Sequence, residues 1–221
     1  MAKDWTVVIP VKRLGAAKSR LRGAVPDARH EDLALAMVRD TVAAVLGCAE
    51  VADLVVVTDD PAAARAVTVL GARAVPDRPG AGLNAAMRFG ADVVAGLGRR
   101  RAVLAGDLPA LRAPELATAL SMAAGRSFVP DAEGSGTVLL TAAPDAPLDP
   151  HFGVGSAAAH LASGATELTG DWPGLRQDVD TAADLRAVLA LGAGAHTCAL
   201  LRDIGLTHDG DRSRLPTAPA R

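Results

Sequence analysis

Short apolar runs alternate along the chain with longer stretches of helical periodicity. Residues 6–11 form an unbroken apolar run ending at Pro10-Val11, the pattern of a buried strand. Residues 30–48 follow as a helix, with Leu33, Met37, Val38, Val42 and Val45 near helical spacing. Residues 53–58 predict a second strand. The helix after it starts with Asp60 as N-cap and Pro61 in its first turn. A short strand at 73–75 leads through the Pro/Gly-rich loop 76–82 into a helix over 83–95. Residues 101–105 read as a strand, 114–124 as a helix, and 127–130 with 137–142 as a β pair. A short helix opens near Ser156, and residues 181–191 and 197–204 are helical. The alternation predicts an α/β fold, a three-layer sandwich with a mixed, mostly parallel sheet. Residues 1–205 are expected to form a single domain, and the polar, proline-containing stretch 206–221 a flexible tail.

Composition narrows the function classes. Half of the 221 residues are apolar, yet only 2% are aromatic and tyrosine is absent, so Ala, Val and Leu must build the core. That excludes aromatic stacking platforms for single-stranded nucleic acid. A net charge of −2 supplies no basic field for DNA or RNA. Cys48 and Cys198 have neither zinc-ligand spacing nor a disulfide framework. With no signal-peptide pattern and no apolar run of membrane-span length, a soluble cytoplasmic protein with no membrane partner is expected.

Three constellations carry chemistry. The loop after the first strand holds Lys12, Arg13, Lys18 and Arg20 around Gly15, four cations within nine residues. It has neither the G-x-G-x-x-G of a dinucleotide site nor a P-loop. Such a loop at a strand's carboxyl end suits the phosphates of a nucleoside triphosphate, although a solvated basic turn reads the same way in isolation. Second, Gly106-Asp107-Leu108-Pro109 puts a carboxylate just past a strand end, and Asp178-Val179-Asp180 puts two more before a helix. Mg²⁺ takes hard oxygen ligands, often one or two carboxylates plus substrate phosphates, and Asp107 with Asp180 and Asp178 are the candidate ligands. Thr181 and Asp184 form a capping box, so Asp184 reads as structural. Third, His151-Phe152-Gly153-Val154-Gly155-Ser156 is a glycine loop entering a helix, with Ser156 as N-cap or anion ligand. The small-residue turn Gly134-Ser135-Gly136-Thr137 can face it and complete a second anion site, or both are ordinary turns. Two anion sites and a carboxylate pair suggest joining two phosphorylated molecules. No nucleophile–base pair is required, because a phosphate oxyanion is already a nucleophile.

These residues, I-P-V-K, A-K-S-R-L, G-L-N-A-A, G-D-L-P, F-G-x-G-S and D-V-D-T-x-x-D-L in order from Val7 to Leu185, resemble the guanylyltransferase family of deazaflavin coenzyme F-420 biosynthesis. The resemblance implies a nucleotidyltransferase of glycosyltransferase-A type. Such an enzyme joins the GMP unit of GTP to a phosphorylated three-carbon acid, phosphoenolpyruvate or 2-phospho-L-lactate, and releases pyrophosphate. It further implies that Lys18, with Lys12 and Arg20, holds the triphosphate, and that the loop 79–84, with Gly82 and Asn84, faces guanine and ribose. Thr137, Gly153 and Ser156 would hold the acid, and Asp107 and Asp180 the Mg²⁺. Catalysis would rest chiefly on Lys18 and Asp107, and a downstream transferase would take up the product. Bacterial members often carry a further acidic residue where this chain has Ala105, a departure that touches the metal shell. Alternatives are a nucleotidyltransferase of the same fold acting on a molybdopterin or sugar phosphate, or a catalytically silent nucleotide-binding protein.

Overall fold

The apolar run at the N-terminus becomes β1 (Trp5–Pro10), a central strand of a seven-stranded sheet. The computed structural model describes residues 4–16, 25–26, 29–78, 80–95 and 98–206. β1 is followed by α1 (His30–Leu46), β2 (Val51–Val57), α2 (Pro61–Leu70), β3 (Arg73–Val75) and α3 (Leu83–Ala95). Then come β4 (Arg100–Leu104), α4 (Ala113–Met122), β5 (Arg126–Pro130), β6 (Thr137–Ala142) and α5 (Ser156–Ala162). The last elements are β7 (Thr166–Glu167), α6 (Pro173–Arg176), α7 (Ala182–Leu191) and α8 (Ala195–Asp203). The sequence pattern anticipated all but β7, α6 and a 3-10 turn at Leu14–Ala16, with boundaries moved by a residue or two.

The sheet order is β3-β2-β1-β4-β6-β5-β7. β1 pairs in parallel with β2 and β4, β2 with β3, and β5 with β7, while β6 is antiparallel to both β4 and β5. Every strand except β6 therefore points the same way, which is the mixed, mostly parallel sheet expected. The amino end of β6 consequently lies on the edge where β1, β2, β4 and β5 have their carboxyl ends.

Alternation along β1 sets the layers. Val7 and Ile9 pack with Val38 and Val42 of α1, Ala63 and Val67 of α2, and Leu116 and Leu120 of α4. Val8 faces the other way and packs with Met87, Ala91 and Val94 of α3. Small side chains let α3 approach closely: a β-carbon on Gly90 would lie 2.5 Å from Val8 Cγ1 and 2.8 Å from Val57 Cγ2. A third cluster joins Leu33 and Met37 of α1 to Val188 of α7 and Leu201 of α8. The buried Asp40 fixes the last helix there, accepting from His196 N–H at 2.9 Å and Thr197 N–H at 2.8 Å. Among the described residues no single helix is long and apolar enough to cross a membrane.

Candidate active site at the carboxyl edge of the sheet

The connections around β1 open a crevice. From β1 the chain crosses through α1 to β2 on one side, and from β3 through α3 to β4 on the other, with α1 and α3 on opposite faces. The carboxyl ends of β1 and β4 flank this topological switch point, the usual ligand position in open α/β sheets. Val11 N–H continues the ladder to Val57 O at 2.8 Å, and the exposed Lys12 and Arg13 follow immediately. The expected phosphate residues Lys18 and Arg20 lie outside the described residues, as does Pro79 of the expected base loop.

Asp60 does more than the sequence suggested. Its Oδ1 caps α2, accepting from Ala62 N–H at 2.9 Å and Ala63 N–H at 3.0 Å. Its Oδ2 accepts from Leu14 N–H at 3.0 Å and so pins the start of the basic loop. Burial favours the neutral acid, but the N–H groups of Ala63, Leu14 and Ala62 outweigh it. With the Arg13 charge they hold the carboxyl below its ordinary value.

Asp107 follows β4 on a backbone fixed from two sides. Gly106 sits against β1, where an added β-carbon would lie 3.1 Å from Ile9 Cγ2. Buried Thr41 of α1 reaches across to the same loop. Its hydroxyl accepts from Leu108 N–H at 3.0 Å, and its own proton lies between Met37 O at 2.9 Å and Gly106 O at 3.3 Å. Val179 N–H donates to Asp107 O at 3.2 Å, which brings the Asp178–Asp180 segment to the β4 end. Asp107 and Asp178 are half-buried and Asp180 is exposed. Among the described residues no three His, Cys, Asp or Glu side chains converge as a metal-holding group, so the three aspartates do not form a closed cage. Asp184 is structural as expected. Its Oδ2 accepts from Asp180 N–H at 3.1 Å and Thr181 N–H at 2.7 Å, and Thr181 Oγ1 caps α7 in return.

Thr137 opens β6 on the same edge, with Ala105 N–H donating to Val138 O beside it at 2.8 Å. The chain from Ser135 runs along α5: Ala157 N–H donates to Ser135 O at 3.2 Å, and Thr137 Oγ1 lies 2.9 Å from His160 Nδ1. Thr137 and Ser156 are both buried, and Gly153 is exposed. Three sequence expectations change here. The N-cap of α5 is Gly155, at φ +71° where glycine is favoured, so Ser156 is the first helical residue instead. The turn before Thr137 has no backbone donors to spare, because Asp131 takes them: Ser135 N–H to Oδ1 at 3.0 Å and Gly136 N–H to Oδ2 at 2.8 Å. Asn84 clamps the glycine loop, its Nδ2 donating to Phe152 O at 2.9 Å and its Oδ1 accepting from Phe152 N–H at 2.8 Å. That engagement ties the loop expected at the base to the loop expected at the acceptor. Gly153, Val154 and Gly155 keep backbone N–H groups to which no described residue is matched.

Thr41 and His160 were not singled out from sequence. Thr41 sits mid-helix with nothing to mark it. His160 had a signal, since it lies one helical turn from Ser156 and therefore shares its face.

The fold is one shared with nucleotidyltransferases. A nucleotidyl transferase from Methanothermobacter thermautotroptrophicus superposes with a TM-score of 0.61 at 20% identity, covering 91% of this chain and 100% of that one. The family model described as guanylyl transferase CofC like matches residues 5–216. The phosphoenolpyruvate guanylyltransferase of Salinispora arenicola is 61% identical over 90% of this chain and 94% of its own. That of Geodermatophilus obscurus is 57% identical over the same shares, 90% and 94%. The chain belongs to the CofC-like guanylyl transferase family.

Proposed function

We propose that this chain transfers the GMP unit of GTP to phosphoenolpyruvate, releasing pyrophosphate, as a cytoplasmic step in coenzyme F-420 biosynthesis. The observation that carries the reading is the shared edge. Lys12 and Arg13 after β1, Asp107 after β4 with Asp178 and Asp180 beside it, and Thr137 with the Gly153–Ser156 loop all lie at one end of the sheet. The names of the relatives at 61% and 57% identity favour phosphoenolpyruvate over 2-phospho-L-lactate.

The chemistry follows from charge and position. An oxygen of the acceptor's phosphate attacks the α-phosphorus of GTP in line, the new O–P bond replaces the bond to the β-phosphate bridge, and pyrophosphate leaves. No proton need move, so the transfer requires no general base. Lys12, with Lys18 and Arg20 carried over from the family motif, neutralises the triphosphate. Thr137, Ser156 and the Gly153 N–H orient the acid. The paired carboxylates suit a hard cation: Asp107 and Asp180 would hold Mg²⁺ with Asp178 beside them, leaving the remaining positions to phosphate oxygens. Bound there, the ion would offset the charge gathering on the phosphates.

The test is pyrophosphate release from GTP with phosphoenolpyruvate, with 2-phospho-L-lactate or with no acceptor, in the presence and absence of the downstream transferase that consumes a labile product. Release that depends on phosphoenolpyruvate supports the reading. Release with 2-phospho-L-lactate alone would transfer it to the other acid, and no release with either acid, transferase included, would overturn it.

A further inference from the structure

His160 makes contacts that fix where its proton sits. The ring is fully buried, with Nε2 2.9 Å from His151 N and Nδ1 2.9 Å from Thr137 Oγ1. A backbone N–H can only donate, so Nε2 carries a lone pair. Burial, aided by the charges of His151 and Arg126 and opposed by that of Asp149, lowers the ring's pKa from the ordinary 6.5 to about 4. The imidazole is therefore neutral near pH 7, and its single proton must be on Nδ1.

The consequence falls on Thr137. A hydroxyl that accepts from Nδ1–H must point its own proton elsewhere, and no described residue accepts it. We propose that His160 is a positioning residue that commits the Thr137 hydroxyl to donate to the acceptor's anionic oxygen. A threonine without this partner can turn its hydrogen away and present a lone pair, which repels a phosphate or carboxylate. His160 sets that polarity before the substrate arrives, while its Nε2 holds the glycine loop through His151. The inference rests on the acceptor-site reading of Thr137 given above.

Four variants compared with the wild type, and one spectrum, separate the two ideas. Thr137→Val removes the donor. His160→Gln keeps an acceptor for His151 N–H and loses the Nδ1 donor, whereas His160→Asn keeps a donor near Nδ1 and loses the acceptor. The double variant Thr137→Val with His160→Gln measures coupling. A hydrogen bond to a charged group is at stake, so the KM for phosphoenolpyruvate should rise about tenfold or more in Thr137→Val and in His160→Gln. The KM for GTP should hold, the double variant should add nothing, and His160→Asn should recover most of the loss. In the wild-type protein, the imidazole ¹⁵N resonances should show a protonated Nδ1 and a bare Nε2 at neutral pH, a readout independent of variant folding. An unchanged phosphoenolpyruvate KM in Thr137→Val would overturn the acceptor reading and this inference together. A raised KM in Thr137→Val with none in His160→Gln, full additivity in the double variant, or a protonated Nε2 would overturn the His160 role alone.

Discussion

Thr41→Val tests whether the Asp107 loop is held from α1. Valine matches threonine in shape but lacks the hydroxyl that accepts from Leu108 N–H at 3.0 Å. Leu108 and Thr41 are both fully buried, so water cannot replace the lost acceptor. Leaving a buried N–H without a partner costs about 1–3 kcal/mol. In a chain of this size each kcal/mol moves the melting point by about 2–4 °C, so a fall of roughly 2–12 °C is expected. The same bond fixes the backbone next to Asp107, so kcat should drop by about tenfold or more as the carboxylate loses its place. Thr41→Ser keeps the hydroxyl and should lose much less in both measurements. Thermal unfolding and steady-state pyrophosphate release on the three proteins decide it. A Thr41→Val protein that melts with the wild type and turns over at its rate would show that the Asp107 loop is not held by this hydroxyl.

Asp107→Asn keeps the volume and removes the charge. Turnover should fall by about a hundredfold or more with the melting point within about 2 °C of wild type, and near-normal turnover would remove Asp107 from the site. Gly90→Ala pushes a methyl against Val8 and Val57; overpacking of about 1–3 kcal/mol exceeds the helix-propensity gain of about 1 kcal/mol, so the urea midpoint should fall. A midpoint at or above wild type would show that α3 can move away. His160 makes stability depend on pH, since its folded pKa of about 4 lies below the ordinary 6.5. Between those values the unfolded chain binds the extra proton, so His160 draws stability down as pH falls through that window. The full loss is roughly 3 kcal/mol. Urea unfolding at pH 7 and pH 5 should show a larger acid loss in wild type than in His160→Gln, and equal losses would contradict the buried neutral ring.

Local signals carried much of the fold. Asp60-Pro61 announced α2, Thr181 with Asp184 announced α7, and the two short apolar runs around residues 127–142 announced the antiparallel pair. Each depends on residues a few positions apart, and short-range physics is what a sequence displays. α6 and β7 escaped because Pro173–Arg176 and Thr166–Glu167 are too short for any periodicity. In the site, Asp107 could be read as a carboxylate just past a strand end, and Asp178 with Asp180 as a pair ahead of a helix. The partners that place them could not. Thr41 and Leu108 are 67 residues apart, Asn84 and Phe152 are 68 apart, and Thr137 and His160 are 23 apart. Those contacts exist only once the sheet has set its strand order. Asn84 and Asp131 make contacts that their loop sequences do not display. Both polar groups of the Asn84 amide and both Asp131 oxygens are engaged within the chain.

In the proposed reaction the α-phosphorus of GTP passes to the phosphate of phosphoenolpyruvate on this protein. GTP labelled at the α-phosphorus, incubated with the full chain, Mg²⁺, phosphoenolpyruvate and the downstream transferase, follows that atom directly. Label joined to the three-carbon acid or its transferred product is expected, in amounts equal to the pyrophosphate released and lost in Asp107→Asn. Label that remains in GTP, or appears only as GMP whatever the acceptor, would contradict it.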